Sequence, residues 1–177
     1  MSKDNYLPAK ESYHFLEHYF ETGFLIDIDG INKNDLCILM HSNKVCVVTL
    51  AKSHYLFDKL NEDSVESVDF QSGPNTNRLN NEVKGKGKKG GQFISSNESS
   101  LLKVVMKSGD IVTIPCGIRG KLLEMNKRLL SDPLLLIKST LTEGFLCIIM
   151  PKVEEWDKIK KSLLSRSEYE IQRDIVK

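Results

Sequence analysis

Apolar residues recur along this chain in short runs separated by polar turns, which is typical of a protein built mainly from β-strands. Residues 36–40 and 45–50 are apolar runs on either side of a short polar turn, so they predict a β-hairpin. The alternating run at 65–70 predicts another strand. Residues 101–106 and 111–115 flank the tetrapeptide Lys-Ser-Gly-Asp and predict a second hairpin.

Helical spacing of apolar residues occurs at the two ends of this β pattern. Residues 13–24 carry aromatic pairs one turn apart and predict a short helix or an extended arm that packs on the body. Residues 154–164 and 169–176 predict helices near the C-terminal end. With further strands at 122–125 and 145–150, the pattern predicts a mainly β fold with C-terminal helices (α+β), in the form of a small barrel or sandwich.

Changes in composition suggest how the chain is organised. Residues 1–30 are predicted to form an N-terminal arm or short helix, and residues 31–177 to form the β domain. Within that domain, residues 71–100 hold turn-forming and polar residues, so we expect a flexible insertion there. This stretch contains a basic, glycine-rich run that no core would accept. The lysines of this basic run are Lys84, Lys86, Lys88 and Lys89.

A formal net charge of +1 conceals an uneven distribution of charge along the chain. Residues 1–77 carry 6 basic and 12 acidic groups, whereas residues 78–128 carry 11 basic and 4 acidic groups. Residues 129–177 carry 8 of each. The basic middle therefore predicts an anionic partner, either an acidic protein surface or a nucleic acid. The alternative is that it folds against the acidic first part.

The same sequence disfavours several classes of protein. Its cysteines lie scattered within apolar runs, without C-x-x-C or metal-ligand spacing, so we expect buried free thiols in a reducing compartment. They are Cys37, Cys46, Cys116 and Cys147. The first residues lack the apolar core of a signal peptide. No apolar run approaches the roughly 20 residues that a membrane helix needs. We therefore expect a soluble nuclear or cytosolic protein without a membrane partner.

The residues that could carry catalysis have simpler structural explanations. Cys46 lies close to His41 in sequence, but its apolar neighbours predict a core thiol rather than an activated nucleophile. His14 and His18 have a spacing that suits a metal, yet nothing nearby completes a set of ligands. The glycine-rich run lacks the strand and the pattern of a phosphate-binding loop. We therefore expect no enzyme activity, cofactor, metal or small-molecule substrate.

The last third of the chain carries an ordered set of motifs. These are residues 115–126, 132–133, 142–146 and 150–151. In this order they resemble the second half of the glycine cleavage H-protein, the lipoyl-carrier domain. The resemblance implies its fold, a barrel-sandwich hybrid in which two β-halves wrap around each other. It places Gly109 where the carrier has its lipoyl-lysine, and Lys107 lies two positions away, so a lipoyl-carrier function is kept as an alternative.

A second resemblance covers nearly all of residues 13–170. Its motifs are residues 36–54, 78–79, 83–86, 91–93, 116–126, 142–144 and 151–152. In these motifs the chain resembles the Abitram family, also called Simiate, which is described as having an H-protein-like fold without lipoate. The resemblance implies actin binding and an influence on actin polymerisation and filopodia. It also implies residence in the cytoplasm and in the nucleus, including speckles, with a role in transcription. It transfers no actin-contact residues.

The four lysines of the basic run are the best candidates for a partner-binding site. Because actin is acidic overall, these lysines would steer it by charge. The same run would suit an import receptor or RNA phosphates, or it is only a solvated loop. Phe93 is the only aromatic residue close by, which disfavours sequence-specific RNA recognition through stacking. Together with the actin binding that the family resemblance implies, we expect a non-enzymatic actin-binding protein, with a nuclear nucleic-acid-binding module as another alternative.

Overall fold

The main layer of the computed structural model, which describes residues 16–175, is an antiparallel sheet of six strands. In order across the sheet, these are β1 (Phe20–Leu25), β2 (Leu36–His41), β3 (Cys46–Leu50), β13 (Cys147–Met150), β12 (Gly120–Met125) and β9 (Phe93–Ile94). The pairing of β3 with β13, which sets Val48 opposite Cys147, joins the first third of the chain to its last third.

The other elements form a smaller sheet, two short hairpins and several helices. The smaller sheet has the order β11 (Ile111–Pro115), β10 (Ser100–Met106) and β4 (Val65–Asp69). The hairpins are β5 (Gln71–Gly73) with β6 (Thr76–Asn77), and β7 (Val83–Lys84) with β8 (Lys89–Gly90). The α-helices are α1 (Tyr55–Lys59), α2 (Leu135–Lys138), α3 (Trp156–Ser162) and α4 (Arg166–Gln172). Turns of 3₁₀ helix occupy Ile28–Gly30, Arg78–Asn80, Lys127–Leu130 and Val153–Glu155.

The hydrophobic core lies between the two sheets, because alternate residues of strands from both belong to one buried cluster. Leu36, Ile38 and Met40 of β2 enter this cluster, together with Val104 and Met106 of β10. The intervening residues of β2, Cys37 and Leu39, are also buried, on the opposite face of the sheet. A strand that is covered on both faces reads as a continuous apolar run, which explains the pattern at 36–40.

Helix α4 packs near this second face. It begins with a capping box, in which Ser165 and Glu168 satisfy each other's backbone N–H groups. Its Tyr169 ring stacks on Phe24 of β1, with the ring centroids 4.1 Å apart and the planes nearly parallel. The smaller apolar cluster around this stack is therefore what attaches the C-terminal helix to the sheet.

The predicted fold class is confirmed, and the predicted strands and C-terminal helices are found to within a few residues. The region 13–24 differs from a single helix or arm. Residues 16–19 are helical, and Phe20–Leu25 form an edge strand of the main sheet. Residues 1–15, which are half of the predicted arm (residues 1–30), lie outside the described range. None of the helices in residues 16–175 is long and apolar enough to cross a membrane.

Residues 71–100, which we expected to form a flexible insertion, are folded into five short strands and the start of β10. Side-chain amides hold this stretch to the main sheet. Asn81 accepts the N–H of Gln92 at 2.6 Å and donates to the carbonyl of Leu122 at 3.0 Å. Polar contacts of this kind leave no periodic apolar pattern, so the sequence indicated only turns.

Candidate functional site

The predicted basic run forms a tight hairpin, hereafter the basic hairpin (residues 83–90). Lys84 of β7 lies opposite Lys89 of β8, and the Lys88 N–H donates to the Gly85 carbonyl at 3.0 Å to close the turn. Gly85 and Gly90 have φ values of 70° and 95°, in the left-handed region that favours glycine. The glycines are therefore needed for the turn itself, and the lysines alternate with them.

Two contacts fix the basic hairpin on the main sheet. The Nζ of Lys121, from β12, donates to the backbone carbonyl of Lys88 at 2.9 Å. The Lys88 Nζ lies 3.6 Å from the Sδ of Met150. Lys88 is consequently half-buried, whereas Lys84, Lys86 and Lys89 are exposed. The backbone of the hairpin is therefore anchored while three of its four amines face solvent.

Two more lysines extend this positive region. Lys121 reaches the hairpin as described, and the Lys152 Nζ lies 5.3 Å from the centre of the Phe93 ring, which is 44 % exposed. We call the whole set the basic surface: Lys84, Lys86, Lys88, Lys89, Lys121, Lys152 and Phe93. Within residues 16–175 only Lys84 of these lysines forms an ion pair, with Glu82 at 3.3 Å. That pair is largely exposed, so it neutralises the surface little.

The β10–β11 hairpin carries the position at which a lipoyl carrier has its lysine. Gly109 lies at its exposed tip with a φ of 92°. The tip is fastened to the residues before β4, because the Lys107 N–H donates to the Ser64 carbonyl at 2.9 Å and the Ser108 N–H to the Asp63 carboxylate at 3.2 Å. Gly109 offers no side chain for attachment, and the register that places it there stays a prediction.

The cysteine prediction is confirmed, since all four thiols are free and buried. Burial raises the pKa of Cys46 to about 12, which is the opposite of an activated thiol. Its sequence neighbour His41 accepts the Asn43 N–H at Nδ1 and packs edge-on against Phe20. No group of three potential ligands that would hold a metal occurs in the described residues, and His14 lies outside them.

A buried polar cluster attaches α4 to the body, and sequence reasoning missed it. Arg173 donates from Nε and Nη2 to the two oxygens of Asp35, both at 2.7 Å, and from Nη2 to Asp27 at 2.6 Å. The Ser53 hydroxyl donates to Asp35 at 2.5 Å and lies 2.6 Å from the Tyr169 hydroxyl. Because Asp35 is fully buried and its oxygens are all satisfied, we interpret this cluster as structural.

A cleft of about 790 Å³ opens beside this cluster between the second face of β2 and helices α2 and α4. Apolar side chains, including Leu39, Ile137 and Leu141, dominate its wall. Leu16, the first described residue, also forms part of the wall. We assign this cleft no ligand.

Lowering the pH from about 6.5 towards 4 should destabilise the protein through His54. This residue is fully buried, accepts the Leu56 N–H at Nδ1 and lies 3.1 Å from the Asn34 side-chain oxygen. Burial lowers its pKa to about 4, although Asp35 attracts the proton. In the unfolded chain the histidine pKa is about 6.5, so between about pH 6.5 and 4 the unfolded state binds more protons than the folded state. The stability that the protein has above about pH 6.5 is therefore lost as the pH falls through this range.

Urea unfolding between pH 4 and 7 would measure this effect. The His54→Asn variant keeps a side-chain acceptor for the helix cap but cannot take up a proton, so its stability should depend less on pH over the window. The same slope in both proteins would show that other groups cause the acid sensitivity.

Comparison with known structures first defines the class of protein. The chain is similar to a glycine cleavage system H protein from Mycobacterium marinum, with a TM-score of 0.51 and 16 % identity. The match covers 78 % of this chain and 91 % of that chain. At this identity the likeness shows the fold alone, and it confirms the H-protein-like architecture predicted from the motifs.

Sequence comparison then shows the family. No family model matches the chain. It is 38 % identical to Protein Abitram of Gallus gallus over 85 % of this chain and 86 % of the relative. It is 36 % identical to the Homo sapiens protein, over 88 % and 84 %, and 30 % identical to the Dictyostelium discoideum protein, over 90 % and 88 %. The chain belongs to the Abitram family.

Proposed function

We propose that this protein binds actin without catalysing a reaction, and that it influences actin polymerisation and filopodia-type dynamics. Family membership supplies the expectation of actin as the partner. The observation that supports a contact site is the basic surface, where four lysines of a hairpin held on the main sheet lie near two further lysines. Its positive charge complements an acidic protein such as actin.

The basic surface suits recognition by charge. Three amines of the hairpin are exposed and Lys121 and Lys152 lie near it, so an approaching acidic partner meets several positive charges together. Such an arrangement raises the rate of association more than it raises affinity, and salt weakens it. Anchoring the hairpin backbone reduces the conformational entropy that binding would otherwise cost.

We further propose that the protein acts in the nucleus, including speckles, and in the cytoplasm, with actin-rich cell projections as a third location. A nuclear, transcription-related partner follows from the same family expectation. An exposed aromatic ring beside a lysine, as in Phe93 and Lys152, also suits a nucleic acid, because bases stack on such rings. Nucleic-acid binding through the basic surface is therefore the second candidate function.

Changing Lys84, Lys86, Lys88 and Lys89 together to alanine should weaken binding to filamentous actin by roughly 10-fold or more, because steering by clustered charge is lost. Co-sedimentation at physiological salt measures this. A matched control removes four exposed lysines elsewhere and leaves the same net charge. These are Lys127, Lys138, Lys158 and Lys161. The control variant should pellet like the wild type.

The remaining outcomes separate the hypotheses. If both variants and the wild type pellet equally, actin binding belongs to another face of the protein. If none of them pellets, the proposed actin function is wrong. Binding to single-stranded RNA would then be measured against salt concentration, since an affinity that falls steeply with salt indicates contacts to phosphates.

A further inference from the structure

A second cavity lies beside the basic surface and has a different chemistry. It encloses about 480 Å³ between the β5–β6 hairpin, β9 and the start of β10. Among the described residues, its lining contains one cation, Arg78, and the hydroxyl groups of four serines and a threonine, but no acidic residue. A cavity that combines positive charge and hydroxyl donors without a carboxylate favours an anion.

Arg78 is the unusual member of this lining. It is only 7 % exposed, yet within residues 16–175 it pairs with no carboxylate. Its Nη1 donates to the Gln92 side-chain oxygen at 2.8 Å, and Nε and Nη2 donate to the Ser100 carbonyl at 3.3 and 3.1 Å. These acceptors are all neutral. Burial lowers the pKa of Arg78, as expected for a guanidinium whose acceptors among the described residues are neutral.

Donors remain available around Arg78. A guanidinium group has five N–H donors, and three of them make the bonds just described. One N–H on each terminal nitrogen therefore has no acceptor among the described residues. Two buried charged donors without partners are costly unless a ligand or solvent satisfies them.

We propose that this cavity binds a phosphate group, either as the free ion or as a phosphomonoester. The paired N–H groups of a guanidinium match two phosphate oxygens. The hydroxyls of Thr76, Ser95 and Ser99, which make no side-chain hydrogen bond within the described range, can donate to the remaining oxygens of a tetrahedral group. The nearby lysines would increase the local concentration of anions. None of the basic-hairpin lysines lines the cavity, so this site is independent of the actin proposal.

Thermal unfolding of the full chain in inorganic phosphate, compared with sodium chloride at equal ionic strength, tests the proposal. At ten times the dissociation constant, phosphate should raise the ratio of folded to unfolded protein about 11-fold and Tm by about 3–6 °C. Arg78→Gln should abolish the part of this rise that is specific to the site. Arg128→Gln, at an exposed arginine elsewhere, should retain all of it.

A second variant keeps the test valid if Arg78→Gln does not fold. The Thr76 hydroxyl makes no side-chain hydrogen bond within residues 16–175, and Thr76 lines the cavity, so Thr76→Val should fold normally while its phosphate affinity falls about tenfold. Amide and guanidinium NMR shifts of the wild type should localise the response to Arg78 and its neighbours. O-phosphoserine used as a second probe distinguishes a phosphomonoester site from one for the free ion, and a response to either probe supports the proposal.

Three results would overturn this inference. One is an equal rise in Tm in chloride and phosphate. Another is an undiminished phosphate effect in both Arg78→Gln and Thr76→Val, which would indicate the general stabilisation of folded proteins by this salt. The third is an equal response to acetate, because the cavity would then be a general carboxylate site rather than one for phosphate.

Discussion

Replacing Arg173 with alanine should lower the free energy of unfolding by about 3–5 kcal/mol, because it leaves a buried carboxylate without its partner. Asp35 is completely buried, and both of its oxygens accept from Arg173 at 2.7 Å. The same substitution removes the contact between Arg173 and Asp27. Helix α4 should therefore lose its main polar attachment to the body.

Urea denaturation at pH 7 gives the free energy for each variant. Arg128→Ala is the matched control, because its ion pair with Glu143 is exposed on both sides and should contribute at most about 1 kcal/mol. Combining Arg173→Ala with Asp35→Asn should recover part of the loss, since the unpaired charge is then gone. If Arg173→Ala lowered the free energy of unfolding by less than Arg128→Ala does, water would be replacing the Arg173 guanidinium at no cost in stability.

Replacing Gly144 with alanine should cost about 3 kcal/mol or more, because the fold leaves no room for a Cβ atom there. An added Cβ would overlap the carbonyl oxygen of Leu135, in helix α2, and would lie 3.0 Å from that of Ser139. The backbone cannot easily withdraw, since the Gly144 N–H donates to the Ser139 carbonyl at 2.8 Å. Gly144 therefore allows α2 to pack closely on the segment that enters β13.

Gly73→Ala provides the comparison for this substitution. A Cβ on Gly73 would meet no atom of residues 16–175 within 4 Å, and its backbone is not in the left-handed region. The free energy of unfolding should stay the same or rise by up to about 1 kcal/mol, because alanine restricts the unfolded chain. If thermal unfolding showed similar losses for both variants, close packing at Gly144 would not be the cause.

The sequence predicts those parts of the fold that are specified by residues close together in the sequence. The β2–β3 and β10–β11 hairpins are such parts, because an apolar run and the chemistry of a short turn specify them locally. β1 is different, since its aromatic residues also fit a helix. Pairing with β2 decides its conformation, and Gly23 within it lies so close to Leu163 that a larger residue would collide.

In the candidate sites too, residues that are close together in the sequence can be predicted, whereas those brought together by the fold cannot. The four lysines of the basic hairpin are recognisable because a run of lysine and glycine is suited only to an exposed turn. Lys121 and Lys152 are brought near these lysines by the pairing of strands that are distant in the sequence. No local sequence pattern predicts that pairing. Arg78 and the Ser100 carbonyl that it contacts are 22 positions apart, and Asp35 and Arg173 are 138 apart. Buried polar pairs at such separations leave no periodic signal.

Contacts between residues that are far apart in the sequence affect how this protein folds during translation. Phe24 of β1 and Leu164 exchange two backbone hydrogen bonds, both at 2.9 Å. The hydrogen bonds from Arg173 to Asp35 form only after Arg173 has been synthesised. During translation, the nascent chain therefore carries an uncovered apolar face on β2 until nearly all of the described residues have emerged. Contacts this distant also slow folding, because the long loop must close first. The newly made chain should thus depend on chaperones until its last helix docks.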